Sequence, residues 1–159
     1  GIKNYVERAK KVGVDGLLTL DLPPEEAVEL VKASKELEMK NIFIVAPTTP
    51  IWRIPVITNT ASGFIYYVSR EGVTGERDDL AGDLVERVGA IRKHTALPVV
   101  VGFGISNADQ VRQVAQASDG VVVGSALVNC ISRNLSSPTL ALEQIGEKAT
   151  ELAGALGVK

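Results

Sequence analysis

The sequence predicts an α/β fold in which buried parallel strands alternate with helices. Three observations carry that prediction. Pro98-Val99-Val100-Val101-Gly102 and Gly120-Val121-Val122-Val123-Gly124 are β-branched runs with no polar residue before a closing glycine, the pattern of strands covered on both faces. Each leads directly into a small, donor-rich turn, Phe103-Gly104-Ile105-Ser106 or Ser125-Ala126, that opens a helix. The same strand–turn–helix order recurs along the chain, as parallel crossovers require.

Taken in order, residues 2–12 form an amphipathic helix with Ile2, Tyr5, Val6, Ala9 and Val12 on one side. Gly13-Val14-Asp15-Gly16 breaks it, and Leu17-Leu18-Thr19-Leu20 is a buried strand closed by Asp21-Leu22-Pro23-Pro24. Glu25 and Glu26 open the next helix, where carboxylates favour the positive end of the dipole, and it runs to about Glu38. Asn41 to Val45 is the second strand, ending in the turn Ala46-Pro47-Thr48-Thr49-Pro50. Ile51 to Thr60 takes a helix's place in the alternation, but Pro55 and the β-branched Val56-Ile57-Thr58 shorten or break it.

Gly63 to Val68 is the third strand. The polar loop from Ser69 to Asp79, with Gly72 and Gly75 inside it, has the length and composition of a mobile lid. Leu80 to His94 is helical, Pro98 to Gly102 is the fourth strand, Asp109 to Ala117 is helical, and Gly120 to Gly124 is the fifth strand. Helices from Ala126 to Arg133 and Thr139 to Leu156 are separated by Ser136-Ser137-Pro138.

The 159 residues suit a single domain, 1–159, with a sizeable core. A hydrophobic content of 45% and a charged content of 23% are those of an ordinary globular chain. A formal charge of −2 supplies no basic face, so nucleic acid is not an expected partner. No apolar run approaches the ~20 residues that span a bilayer, so no membrane is expected either. Gly1-Ile2-Lys3-Asn4-Tyr5 lacks the apolar core of a secretory leader. Cys130, alone, forms no internal disulfide, suits a reducing cytoplasm, and falls in an apolar helical run where packing is its role. One His and one Cys do not make a zinc site, and no metal is expected; His94 ends a helix and favours its dipole.

The turns point to an anion. Gly104 lets the backbone turn sharply and approach a ligand closely. Ser106, with Asp109 three residues on, reads as an N-cap with a capping-box-like partner, and Ser125 stands before Ala126-Leu127-Val128. Two neighbouring helix starts with free N–H groups make an anion site, and phosphate is the expected ligand. Five strands leave two architectures open: an open doubly wound sheet, or the later part of an eight-stranded barrel.

Gly13-Val14-Asp15-Gly16 through Asp21-Leu22-Pro23-Pro24-Glu25-Glu26 resembles the middle of the tryptophan synthase alpha chain. So do Ala46-Pro47-Thr48-Thr49-Pro50, Tyr66-Tyr67-Val68-Ser69, Gly72-Val73-Thr74-Gly75, Val101-Gly102-Phe103-Gly104-Ile105-Ser106 and Gly124-Ser125-Ala126, in matching order over nearly the whole chain. The resemblance is to the family's carboxyl-terminal part, from before the fourth barrel strand to the end. It implies a (β/α)8 TIM-barrel fold, here a partial barrel of five parallel strands with alternating helices. It also implies a cytoplasmic lyase of tryptophan biosynthesis that cleaves indole-3-glycerol phosphate into indole and glyceraldehyde 3-phosphate. The implied partner is a beta chain in an α2β2 assembly, and pyridoxal phosphate is expected only in that partner, with no cofactor in this chain.

By the same resemblance the substrate phosphate is bound by Gly75, Gly104, Gly124 and Ser125. Tyr66 supports catalysis near the substrate, Thr74 supports it from the lid, and Asp21 faces the beta chain. The family's two catalytic carboxylates, a glutamate on the second strand and an aspartate in the loop after it, would precede Gly1. The acid–base steps of a retro-aldol cleavage need such groups, so this chain alone is expected to be inactive. A noncatalytic half-barrel that binds phosphate or a partner subunit is the alternative, and its open sheet edges could pair two copies. Another phosphate-binding barrel enzyme, an isomerase, fits less of the Tyr66 to Gly75 segment.

Overall fold

The computed structural model describes residues 1–69, 79–102 and 104–157, the side chains of 79–82 excepted. Its elements are α1 (Ile2–Lys11), β1 (Gly16–Leu18), α2 (Val28–Glu36), β2 (Lys40–Val45), a 3-10 turn (Ile51–Arg53) and α3 (Ile54–Thr60). Then follow β3 (Ile65–Val68), α4 (Asp79–Arg92), β4 (Val99–Gly102), α5 (Ala108–Ala115), β5 (Gly120–Val122), α6 (Ser125–Ser132) and α7 (Pro138–Gly154). The five strands lie in sequence order, β1-β2-β3-β4-β5, and every neighbouring pair is parallel. Each crossover therefore steps one strand further in the same direction. A doubly wound sheet reverses its order at a switch point, whereas this unbroken order is that of a partial barrel.

Register divides the sheet's residues between two faces. Phe43 pairs with Ile65, Ile65 with Val99, and Tyr67 with Val101, and these residues share the face that packs on the helices. There they meet Val88, Ile91, Val111, Val114 and Leu152 in one core. Burying each of these aliphatic side chains contributes about 1.5–3 kcal/mol. The opposite face carries Ile44, Tyr66, Val68, Val100 and Val122, all half-buried. The β4 valine run is thus fully covered on one face and partly on the other, and the β5 run is half-buried throughout, where burial on both faces was expected.

Several element ends differ from the sequence reading. The first strand stops at Leu18 because pairing with β2 ends there, and Leu20 is 76% exposed. Glu25 and Glu26 do not open a helix. Glu26 N–H donates to Pro23 O and Ala27 N–H to Pro24 O, so the segment is a turn and α2 begins at Val28. The segment after β2 is short and broken as expected, with Pro55 in the first turn of α3, where its missing N–H costs nothing.

Polar groups at the amino-terminal ends of the strands are paired with one another. Asp119, just before β5, accepts from Val99 N–H at 2.8 Å and from Arg92 Nη2 at 2.9 Å. These bonds, the one to the Val99 N–H foremost, hold its carboxyl below the usual aspartate range. Ser34 Oγ donates to Asn41 Oδ1 at 3.2 Å, while Asn41 N–H donates to Ser62 Oγ at 2.8 Å. Thr58 Oγ1 donates to His94 O at the end of the α4 segment.

Candidate functional site

At the carboxyl ends of the strands the geometry is more open. Gly102 closes β4 opposite Val122 of β5 and Val68 of β3. A Cβ at Gly102 would stand 2.7 Å from Tyr66 Oη and 2.8 Å from Val122 Cβ. The Tyr66 phenol therefore lies across β4 on the half-buried face, in space that only a glycine leaves. Burial pushes the Tyr66 hydroxyl above its usual pKa, so it stays protonated at neutral pH and acts as a hydrogen-bonding group, not a base. Tyr67, next in sequence, points to the other face and is buried in the core.

Two residues beyond Gly102 and Val122 come Gly104 and Gly124. The strand register thus brings the two glycine turns side by side at one end of the sheet. Gly104 has φ +70°, a left-handed conformation that side-chain-bearing residues rarely take. Ile105 then anchors the turn by inserting into the core.

The cap of α5 is Asn107, one residue later than the expected Ser106. Asn107 Oδ1 accepts from Gln110 N–H at 2.9 Å, and Gln110 Oε1 accepts from Asn107 N–H at 3.3 Å and Ser106 N–H at 2.7 Å. Asp109 cannot serve as the box partner, because its side chain is shorter than the Glu or Gln the motif uses; it pairs instead with Arg112. The Ser106 and Asn107 N–H groups are therefore not free, as the two-turn anion reading assumed. The start of α6 differs. Gly124 is its cap and Ser125 its first residue, and no side chain caps it. Among the described residues, the N–H groups of Ser125 and Ala126 have no hydrogen-bond partner, and a Cβ at Gly124 would meet nothing within 4 Å.

Asp21 is exposed on the loop after β1, three strands away from β4. That loop is fastened by an ion pair not evident in the sequence: Arg53 Nη1 and Nη2 reach Glu25 Oε1 and Oε2, each at 2.8 Å. The pairing helps hold the Glu25 carboxyl below its ordinary value, after a backbone hydrogen bond. Trp52, beside Arg53, is 69% exposed. The structure thus gathers Tyr66, Gly104, Gly124 and Ser125 at adjacent strands and sets Asp21 apart. Thr74, Gly75 and the rest of residues 70–78, which make up all but the ends of the expected Ser69 to Asp79 lid, lie outside the described residues.

Among the described residues, no cluster of three or more His, Cys, Asp or Glu side chains could hold a metal ion. No described helix is long and apolar enough to cross a membrane. Cys130 is half-buried and donates to Ala126 O within α6.

A family model for the tryptophan synthase alpha chain matches residues 1–156. The chain is 60% identical over 156 residues to the tryptophan synthase alpha chain of Opitutus terrae, covering 98% of this chain and 57% of that relative. To the alpha chain of Methanothermobacter thermautotrophicus it is 42% identical over 158 residues, covering 99% and 58%. The chain thus spans somewhat over half the length of these curated relatives. Among solved structures, a chain of the tryptophan synthase a2b2 complex from Pyrococcus furiosus superposes with a TM-score of 0.82 at 36% identity, covering 97% of this chain and 61% of that one. A chain of tryptophan synthase from M. tuberculosis gives 0.81 at 31%, covering 100% and 57%.

Proposed function

The chain belongs to the tryptophan synthase alpha chain family, and on that premise we propose that it carries the phosphate-binding half of a lyase site for indole-3-glycerol phosphate. The observation that carries this reading is the paired register of β4 and β5, which sets the Gly104 and Gly124 turns beside each other at the carboxyl ends of the strands. Ser125 and Ala126 N–H groups, with the positive end of the α6 dipole behind them, are the donors for phosphate oxygens. Gly104 lets the backbone approach the anion, and Gly75 joins them by family resemblance.

The chemistry is a retro-aldol cleavage. A base removes the proton of the side-chain hydroxyl, the carbon–carbon bond to the indole ring breaks, and an acid protonates the ring carbon. Tyr66, held protonated, positions substrate and moves no proton by itself. The family's two carboxylates have no counterpart among these 159 residues, so the chain alone binds without turning over. Binding only the phosphate end stabilises ground and transition states alike, and each missing acid or base typically costs about 10²- to 10⁴-fold.

The active form pairs with a beta chain, a reading supported by the a2b2 complex of the Pyrococcus furiosus relative, and works in the cytoplasm. Asp21 lies on the side facing that partner, Thr74 supports catalysis from the lid, and pyridoxal phosphate belongs to the partner. Titration calorimetry of the chain with glycerol 3-phosphate tests the reading. Binding of the phosphate ester well above that of glycerol supports it, and equal weak binding of the two refutes it. Cleavage restored by a separate polypeptide bearing the family's two carboxylates would extend it to catalysis.

A further inference from the structure

Among the described residues β1 pairs only with β2 and β5 only with β4, so each side of the sheet keeps a row of unpaired backbone groups. The helices at the two sides differ in charge. Beside β1, α1 exposes Lys3, Arg8, Lys10 and Lys11 with the single carboxylate of Glu7. Beyond β5, α7 exposes Glu143, Glu147 and Glu151, with Lys148 among them. It packs on α6, where Asn134 Nδ2 donates to Gln144 Oε1 at 2.8 Å. Among the described residues Glu151 pairs with Lys148, whereas the α1 cations, Glu143 and Glu147 have no ion pair. Each side also carries uncovered apolar surface. A groove of about 730 Å³ runs along α1 past Tyr5, Arg8, Val12 and Val14 toward β1. On α6 and the turn after it, Val128, Ile131 and Leu135 are exposed and stand three and four residues apart, the spacing of one helical face.

We propose that two copies of this chain pair head to tail: β5 and the α6 row of one copy meet β1 and the α1 groove of the other, and the α1 cations face the α7 carboxylates. Pairing of like sides would set cations against cations or carboxylates against carboxylates, so charge selects the unlike pair. The strand order then runs on from β5 into β1 of the second copy with every pair still parallel. Because the sheet bends as a partial barrel, two copies joined in this way meet again at their other edges, and the assembly closes. The inference rests on the strand order and the two charged sides, and stands without the phosphate reading.

Sedimentation equilibrium of the full chain tests it. A dimer is expected at about 100 μM, and a monomer there overturns the proposal, leaving the edges to a polypeptide of another sequence. Two charge variants then locate the faces. Val12→Glu sets a carboxylate in the α1 groove, toward the α7 carboxylates, and Leu135→Lys sets a cation toward the α1 cations. Both side chains are more than three-quarters exposed, at 78% and 77%, so the variants keep the circular dichroism of the folded chain. Each variant alone should dimerise about 10-fold or more weakly. An equimolar mixture of the two should recover the dimer, because one contact is then unsubstituted and the other joins the new carboxylate to the new cation. A variant that dimerises as tightly as the unsubstituted chain, or a mixture no tighter than its components, overturns the head-to-tail pairing.

Discussion

The two ends of the sheet satisfy their polar groups differently. At the amino-terminal ends, Asp119, Arg92, Asn41, Ser34 and Ser62 bond to one another and to strand backbone, and Thr58 bonds to the His94 carbonyl. At the carboxyl-terminal ends, Gly102 and Gly124 carry no side chain, and the Ser125 and Ala126 N–H groups have no hydrogen-bond partner among the described residues. The first end is finished as folded. The second leaves backbone donors without a partner among the described residues, at the rim where barrel folds carry function.

Four experiments sharpen or break this contrast. The largest effect belongs to Gly104→Val. At φ +70° a β-branched side chain is strained by about 1–2 kcal/mol, and its bulk occupies the ligand's approach. Glycerol 3-phosphate binding should vanish in calorimetry while the circular dichroism of a folded α/β chain remains; retained binding would remove the turn from the site.

Gly102→Ala comes next. Its methyl group would stand 2.7 Å from Tyr66 Oη, a clash that typically costs about 1–3 kcal/mol. Tyr66→Phe removes that oxygen, so a double-mutant cycle by urea denaturation should give a coupling of at least about 0.5 kcal/mol. Additive behaviour would mean that the Tyr66 hydroxyl does not set the cost, leaving it to the ring edge at 2.9 Å and Val122 Cβ at 2.8 Å.

At the opposite end, Asp119→Asn should cost about 1 kcal/mol, since the carboxylate's hydrogen bonds are half-exposed and screened. Its folded-state pKa is lowered. The stability it contributes is therefore present above the unfolded aspartate pKa and disappears as pH falls through the folded value. Asp119→Asn should flatten the acid limb of the stability profile and leave phosphate binding untouched. A change in phosphate affinity would break the division between the two ends.

The smallest effect is that of Arg53→Lys, which replaces a two-pronged grip on Glu25 with a single contact. The midpoint of unfolding should barely move, while limited proteolysis within residues 19–27 should accelerate. Unchanged cleavage would mean that the pair does not hold the loop.

Much of this was legible in the residues. The valine runs, the alternation of strands with helices and the glycine turns place all five strands, because local pattern and burial agree there. The resemblance singles out Tyr66 over its neighbour Tyr67, and the register sets the two on opposite faces, as adjacent strand residues are. What escaped depends on distant partners. Glu25 looks like a helix opener until Arg53, 28 residues on, is seen to take its carboxylate. The packing of Tyr66 against Gly102 likewise joins separate strands. The cap of α5 was missed for a different reason. Asn107-Ala108-Asp109-Gln110 carries the full capping-box signature, and Ser106 with its short partner Asp109 was read in its place.

Trp52 is the chain's single tryptophan, and it stands in solvent beside the Arg53–Glu25 pair at the rim where the strands end. Its position makes it a built-in optical reporter. The indole should emit at the long wavelength of a hydrated ring, with no second tryptophan to blur the signal. Any chain that settles over this rim should shift that emission to the blue, so docking can be followed by fluorescence without a label.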